Sequence, residues 1–135
     1  MAEHFEGKVS VKGLLVRNGR ILMVRAANET RWDLPGGRVH IGESTHDAFE
    51  REIKEELGVG VVPGELFHSC QTVHSQDKTN HLFLTFRVVA VARLDFPIPT
   101  DEVAEIRWVS KQDMAGLESY ENCIAVLNSY WLWRG

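Results

Sequence analysis

The stretch GRVHIGESTHDAFEREIKEELGV, residues 37–59, decides the fold of this chain. Its second half predicts an amphipathic helix over residues 47–57, since three apolar side chains recur there at helical spacing and share one face. They are Phe49, Ile53 and Leu57. Ser44 is suited to cap the start of this helix, and Gly58 is suited to end it in a left-handed conformation. The pattern therefore predicts a helix that packs on a core through one apolar stripe.

Three glutamates occupy an adjacent face of the same helix: Glu52, Glu55 and Glu56. Carboxylates at (i, i+3) and (i, i+4) repel one another on a helix surface. Water can solvate them, in which case the face is an ordinary acidic surface. Alternatively, they hold a hard divalent cation, and ligation by oxygen alone favours magnesium or manganese over zinc. The charges by themselves leave both interpretations open.

The spacing around these glutamates is more specific than their charge. The positions that carry the pattern are Gly37, Glu43, Arg51, Glu52, the aliphatic Ile53, Glu55, Glu56, Gly58 and the aliphatic Val59. This arrangement resembles the Nudix box and matches it at every fixed position. At average composition such a match has odds on the order of one in a billion per window. The chain is therefore identified as a member of the Nudix hydrolase family, although the box does not identify a substrate.

The resemblance implies an α/β fold, a Nudix-like α/β/α sandwich with a mixed central sheet, and the rest of the chain agrees with it. Residues 9–17 and 20–26 predict two strands joined by a hairpin turn at Asn18-Gly19. Further strands are predicted over residues 66–74, 82–91 and 106–109, with a turn at Pro63-Gly64 before the first of them. A last amphipathic helix is predicted from Tyr120, Cys123, Ile124, Leu127 and Trp131. The sheet is expected to lie between the two helices.

The resemblance also assigns roles to residues of the box and its surroundings. It implies a site for Mg²⁺, with Mn²⁺ as a possible substitute, held by the carbonyl of Gly36 and the carboxylates of Glu52, Glu55 and Glu56. The general base is expected to be Glu52 or Glu55, or else Glu102 from an acidic loop before the last strand. Four residues are expected to support the box structurally: Gly37, Glu43, Arg51 and Gly58.

Four other residues are candidates for contact with the substrate. Arg25 ends an otherwise apolar strand, and its guanidinium is suited to clamp a phosphate, although it also fits a surface charge. Arg38 is expected to bind further phosphate oxygens. Trp32, or an aromatic side chain of the strand over residues 82–91, could stack on a base, although Trp32 also fits packing in the core. Arg87, among apolar neighbours, is the fourth candidate for substrate contact.

Composition limits the partners of the chain. With 135 residues, a net charge of -4 and a pI of about 5.8, it is expected to form a single domain, residues 1–135. The absence of a basic stripe disfavours a nucleic-acid polymer as partner. No apolar run reaches the roughly 20 residues that span a bilayer, and residues 1–8 are polar, so a cytoplasmic location is expected. A monomer and a homodimer both remain open.

The expected reaction is metal-assisted hydrolysis of the diphosphate linkage in a nucleoside diphosphate-linked compound. Water would attack phosphorus while the cation neutralises the developing charge. Nucleoside triphosphates, nucleotide sugars and ADP-ribose-like compounds all remain as substrates. The alternative is a non-catalytic module of the Nudix fold that binds a nucleotide or a protein, although an intact box argues against it.

Overall fold

The structure is a computed structural model that describes residues 4–73, 79–91 and 101–133. Its elements, in chain order, are β1 (Gly7–Leu14), β2 (Val16–Arg17), β3 (Arg20–Ala26), β4 (Gly36–Arg38), α1 (Thr45–Leu57), β5 (Val61–Val73), β6 (Asn80–Val91), β7 (Val103–Val109), a short 3-10 turn (Asp113–Gly116) and α2 (Glu121–Trp133). Among the helices described, none is long and apolar enough to cross a membrane.

The strands form two sheets that lie between the helices. One sheet has the order β4-β1-β6-β5 and is mixed, because β1 runs parallel to β6 while the other pairs are antiparallel. The other sheet has the order β2-β3-β7 and is antiparallel. The predicted mixed α/β architecture is therefore confirmed.

Side chains alternate between the two faces of β3, and each face packs into a core that one of the helices covers. Leu22 and Val24 belong to a core that α1 covers with its apolar stripe, whereas Ile21 and Met23 belong to a second core covered by α2. Successive side chains of a strand point to opposite faces, so one strand serves both cores. The two faces of β3 therefore contribute to different cores.

The predicted turn at Pro63-Gly64 is wrong. Strand β5 continues through both residues, and its register with β6 shifts on either side of Pro63. Because β5 lies at the edge of its sheet, a proline without an N–H is tolerated there. The proline and the glycine therefore make an irregularity within one strand.

Helix α1 has the two caps that the sequence indicates, although it begins at Thr45, two residues before the predicted start. Ser44 is the N-cap, and its Oγ accepts a hydrogen bond from the Asp47 amide at 3.1 Å. Gly58 adopts a φ of 68° and donates its amide to the Lys54 carbonyl at 3.0 Å. A left-handed residue at this point costs least when it is glycine. Local chemistry therefore fixes the ends of the helix that carries the glutamates.

The loop before α1 is attached to the helix by one ion pair. Arg51 donates from Nε and Nη2 to the two carboxylate oxygens of Glu43, at 2.7 and 2.9 Å. The His40 amide donates to the same carboxylate at 2.8 Å, and Arg51 Nη2 also reaches the Arg38 carbonyl at 3.0 Å. Such two-point pairing fixes orientation as well as distance.

We expect Glu43→Gln to make the stability of the protein less sensitive to acid. The side-chain hydrogen bond from Arg51 holds the pKa of Glu43 at about 2, below its ordinary value of 4.5. A depressed pKa contributes stability above about pH 4.5, and that contribution is lost as the pH falls toward 2. Urea unfolding in chelator, at a series of pH values, should show the variant and the wild type converging through this window.

Glu50→Gln is the matched control, because Glu50 lies exposed on the same helix. It should leave the pH dependence unchanged. A difference between wild type and Glu43→Gln that stays constant down to the lowest pH at which both fold would contradict the role given to this ion pair.

Candidate active site

Three carboxylates from two separate elements converge at one point. Glu52 and Glu55 lie one turn apart on α1, and Glu102 lies immediately before β7. Each offers an oxygen, and these oxygens all lie within 4.8 Å of one another. Since magnesium binds oxygen at roughly 2.1 Å, opposite ligands of one ion lie about 4.2 Å apart. The trio therefore fits a shared divalent cation with small side-chain adjustments.

Glu56 occupies a different environment from this trio. It is buried, and its Oε1 accepts a hydrogen bond from the Gly36 amide at 2.8 Å. Burial raises the pKa of Glu56 to about 8, while the nearby charge of Lys12 and the Gly36 amide act in the opposite direction. A cation beside it would favour the ionised form. Glu56 thus links the glycine loop to α1, and its carboxylate is suited to lie beside a bound cation.

The two glycines of β4 allow the loop to lie directly on the carboxylates. Gly36 has a φ of 143°, and a Cβ there would collide with the carbonyl oxygen of Val11. A Cβ at Gly37 would collide with the carboxylate of Glu52. The absence of side chains therefore brings the main chain of β4 against the helix face that carries the glutamates.

A cleft of about 510 Å³ lies beside this loop. Gly37 and Arg38 are among the residues that line it, and Gly37 lies against Glu52, so the cleft and the carboxylate trio meet at β4. The cleft is large enough for the nucleoside part of a ligand whose phosphates reach the trio.

Aromatic side chains from two elements line the cleft. His81 and Phe83 of β6 stack on each other with ring centroids 4.0 Å apart. Tyr120 lies just before α2, and the guanidinium of Arg31 sits 4.2 Å from the centre of its ring. Flat surfaces of this kind are suited to stacking on a nucleobase.

Polar side chains form the floor of the same cleft. Lys12 pairs with Asp33 at 2.9 Å, and Asn122 donates from Nδ2 to the same carboxylate at 3.2 Å. Burial lowers the pKa of Lys12, but the charge of Asp33 and its hydrogen bond more than offset this, so the pKa is raised above 10.5. Lys12 and Asn122 are buried, with 8% and 5% of their surfaces exposed.

Of the four predicted substrate contacts, only Arg38 lines the cleft. Arg25 donates to the Glu29 carbonyl at 2.8 Å and pairs with Glu105 at 3.1 Å. The structure thus gives Arg25 a role in bracing β3 against β7.

Trp32 and Arg87 also lie outside the lining of the cleft. Trp32 is 5% exposed and belongs to the core under α2. Arg87 lies 4.7 Å from the ring centre of Phe67 and pairs with Glu65 at 3.6 Å. Both contacts fit packing roles.

Sequence reasoning missed most of the residues that line the cleft, among them Lys12, Arg31, Asp33, His81, Tyr120 and Asn122. They come from four separate parts of the chain and share no local spacing. One signal was available, since Lys12 is a charge within a strand whose neighbours are apolar or small. The juxtaposition of the others arises only when β1, β6 and the start of α2 come together.

Comparison with known proteins agrees with this geometry. A family model described as the NUDIX domain matches residues 7–125. A Bacillus subtilis protein named "Putative 8-oxo-dGTP diphosphatase" is 36% identical over 97 residues, which cover 72% of this chain and 62% of that protein. The Escherichia coli CTP pyrophosphohydrolase is 34% identical over 65 residues, covering 45% of this chain and 48% of that protein. The chain thus spans less than two thirds of the length of either relative.

Solved structures show the same fold at low sequence identity. The E. coli ORF135 protein superimposes with a TM-score of 0.81 at 21% identity, covering 96% of this chain and 92% of that one. A MutT NUDIX hydrolase from Burkholderia pseudomallei gives 0.80 at 24% identity, covering 93% of this chain and 98% of that one. Since the family model covers most of the chain and the carboxylates of the box converge in space, the chain belongs to the NUDIX domain family.

Proposed function

We propose that this protein is a metal-dependent hydrolase that cleaves the diphosphate linkage of a nucleoside triphosphate. One observation carries the proposal: Glu52, which converges with Glu55 and Glu102, lies against Gly37 in the wall of a cleft with aromatic lining. The names of the relatives support the reaction class, since one is called a diphosphatase and another a pyrophosphohydrolase.

The donor set fits Mg²⁺ or Mn²⁺, because all three side chains of the trio offer oxygen and hard cations prefer oxygen ligands. When bound, such an ion neutralises charge on the diphosphate and makes a bound water a better nucleophile. Glu52 and Glu55 would hold the ion, and Glu102 lies beside them. Glu56, which is buried on the same helix, and the carbonyl of Gly36 are further candidate ligands.

Glu102 is the proposed general base. Arg51 Nη1 donates to Glu52 at 2.9 Å and to Glu55 at 3.3 Å, so both helix carboxylates already accept hydrogen bonds from a guanidinium. Within the described ranges, no such donor reaches Glu102, which is exposed. Its carboxylate is therefore better able to accept a proton from an attacking water.

Arg51 is a positioning residue in this proposal. The same guanidinium that binds Glu43 also donates to Glu52 and Glu55, so it couples the loop to the carboxylates. Side chains that orient metal ligands in this way commonly affect metal affinity and rate by factors of about 10 to 100.

The cleft side of the site would hold the nucleoside. Phe83 and Tyr120 are among the aromatic residues that line the cleft where a base would sit, and Arg38 lies at the junction with the trio, where phosphate oxygens would pass. A nucleoside triphosphate fits this layout, with the base in the cleft and the phosphates at the carboxylates. Nucleotide sugars and ADP-ribose-like compounds are the competing substrate classes.

We expect a panel of nucleoside triphosphates, nucleotide sugars and ADP-ribose to separate these classes. Incubation with Mg²⁺ in ¹⁸O-labelled water, followed by mass spectrometry, should show a nucleoside triphosphate as the best substrate and place the label on a phosphate. Excess chelator should abolish the reaction. If no compound is cleaved but some still bind, the protein is the non-catalytic module instead.

We expect Glu52→Gln and Glu102→Gln each to lower turnover by on the order of 10²-fold or more, since each change removes a charge from the developing transition state. Folding should be unharmed, because like-charge repulsion within the trio is relieved. The measurement is turnover during Mg²⁺ titration, accompanied by a thermal melt of each variant. Glu50→Gln on the same helix is the control, and wild-type turnover in either test variant would leave the trio as a solvated surface.

We expect Arg51→Lys to lower turnover by about tenfold or more and to raise the Mg²⁺ concentration needed for half-maximal rate. Lysine keeps the charge but cannot donate to several carboxylates in one plane. The preference among nucleotides should not change, because the cleft is untouched. Arg20→Lys, an exposed change on β3, is the control. An Arg51→Lys protein with wild-type rate and metal dependence would refute the positioning role.

A further inference from the structure

Helix α2 lacks the charged outer side that a surface helix of a globular protein usually has. Its inner side packs into the second core through Cys123, Val126, Leu127 and Tyr130. Among its 13 residues the only charged one is Glu121, at the first position. A helix that is largely apolar all round is usually covered all round, so the outer side of α2 is suited to contact another surface.

The outward-facing residues of this helix form one row, which we call the α2 stripe. It consists of Glu121, Ile124, Asn128 and Leu132, which recur at intervals of three or four residues and therefore share one face. Ile124 and Leu132 are 40% and 84% exposed. Removing both apolar side chains from water would favour association, since burial of apolar surface is its main driving force.

A cavity of about 400 Å³ lies beside the C-terminal half of the α2 stripe. Asn128 and Leu132 of the stripe line it, together with Trp131 and Met114, which also pack against the second core. The exposed Lys111 completes the lining. The cavity is therefore a largely apolar depression with one basic side chain, and it has room for an aliphatic side chain from another surface.

We propose that the α2 stripe binds the α2 stripe of a second copy of this chain, so that the two helices pack antiparallel about a twofold axis. In such an interface every contact occurs twice, because residue i meets residue j and residue j meets residue i. With Asn128 on the axis, Ile124 of one protomer meets Leu132 and the cavity of its partner, since each lies four residues from Asn128. The two Asn128 amides can bond to each other, because each offers a donor and an acceptor.

The charges at the two ends of the stripe favour a second copy as the occupant. The acidic Glu121 lies at the N-terminal end, and the basic Lys111 lines the cavity at the C-terminal end. Antiparallel packing brings the acidic end of each helix to the basic end of the other, so two Glu121–Lys111 pairs form across the interface. Parallel packing would place like charges together, which opposes association.

The size of the surface predicts a weak and reversible dimer. A helix of 13 residues is about 20 Å long. Two such faces bury less than the roughly 1,200 Å² at which stable interfaces begin. We therefore expect a dissociation constant in the micromolar range. The inference does not rest on the proposed function, since no part of the test depends on a substrate or a metal.

Sedimentation velocity from micromolar to millimolar protein concentration tests the proposal. The wild type should shift from the monomer mass of 15.3 kDa to twice that mass as the concentration rises. Leu132→Glu should stay monomeric, because it places a charge in the apolar contact. Its thermal melt should match the wild type, since Leu132 is exposed. Ile41→Glu is the matched control, because Ile41 is also exposed but lies in the loop before α1, and it should dimerise as the wild type does.

A mixture of two charge-reversed variants separates this arrangement from other dimers. Glu121→Lys alone and Lys111→Glu alone each create two like-charge contacts, so each should dimerise about tenfold more weakly than the wild type. Mixed together, they should dimerise as well as the wild type, because every contact between them joins opposite charges. Glu118→Lys, an exposed change just before α2, is the control and should leave association unchanged.

Three results would overturn the proposal. The first is a wild type that is monomeric at every concentration, and the second is a dimer that persists in Leu132→Glu. The third is a mixture of the charge-reversed variants that associates no better than its separate components, since this would mean that the two ends of α2 do not meet across the interface.

Discussion

The carboxylate site depends on the hydrogen bonds and ion pairs that the guanidinium of Arg51 makes. It donates to Glu43 in the loop, to the Arg38 carbonyl next to β4, and to Glu52 and Glu55 on its own helix. Only arginine presents enough donors in one plane to make these contacts together. The group therefore sets the distance between the glycine loop and the carboxylates, and it offsets their repulsion from within the helix. An ion bound by the trio would therefore find its ligands already held in position.

Buried charged residues lie on both sides of the site, the carboxylate side and the cleft side. Glu56 binds the Gly36 amide on the carboxylate side, and Asp33 pairs with Lys12 on the cleft side. Lys12 influences both sides, since its charge favours the ionised form of Glu56 and its ammonium group pairs with Asp33. A single buried ammonium group thus lies between the carboxylate side and the cleft side. Changes at Lys12 are therefore expected to affect both.

Tertiary contacts also give framework partners to three residues that were candidates for substrate contact. Arg25 and Trp32 both lie near β7, where Arg25 pairs with Glu105 and Trp32 packs under Arg107. Arg87 shares a face of β6 with the aromatic Phe83 but lies beyond the cleft, over Phe67. An arginine near an aromatic ring is equally compatible with a ligand or with packing. The contacts that a neighbouring strand supplies distinguish ligand binding from packing.

The sequence by itself determined the features that depend on short-range chemistry. Helix α1 and its caps, the glutamate face, the glycines of β4 and the two faces of β3 all follow from periodicity and from residues a few positions apart. The box spacing also indicated the Glu43–Arg51 pair, because its partners are eight residues apart along the chain. The sequence named Glu102 as a candidate base, but only the tertiary structure brings it beside the helix glutamates, while Glu105 pairs with Arg25. It also decided the cleft, whose Asn122 and Asp33 are separated by 89 positions. Contacts between residues so far apart in the sequence arise from how strands pair and helices pack, and no local pattern of residues records them.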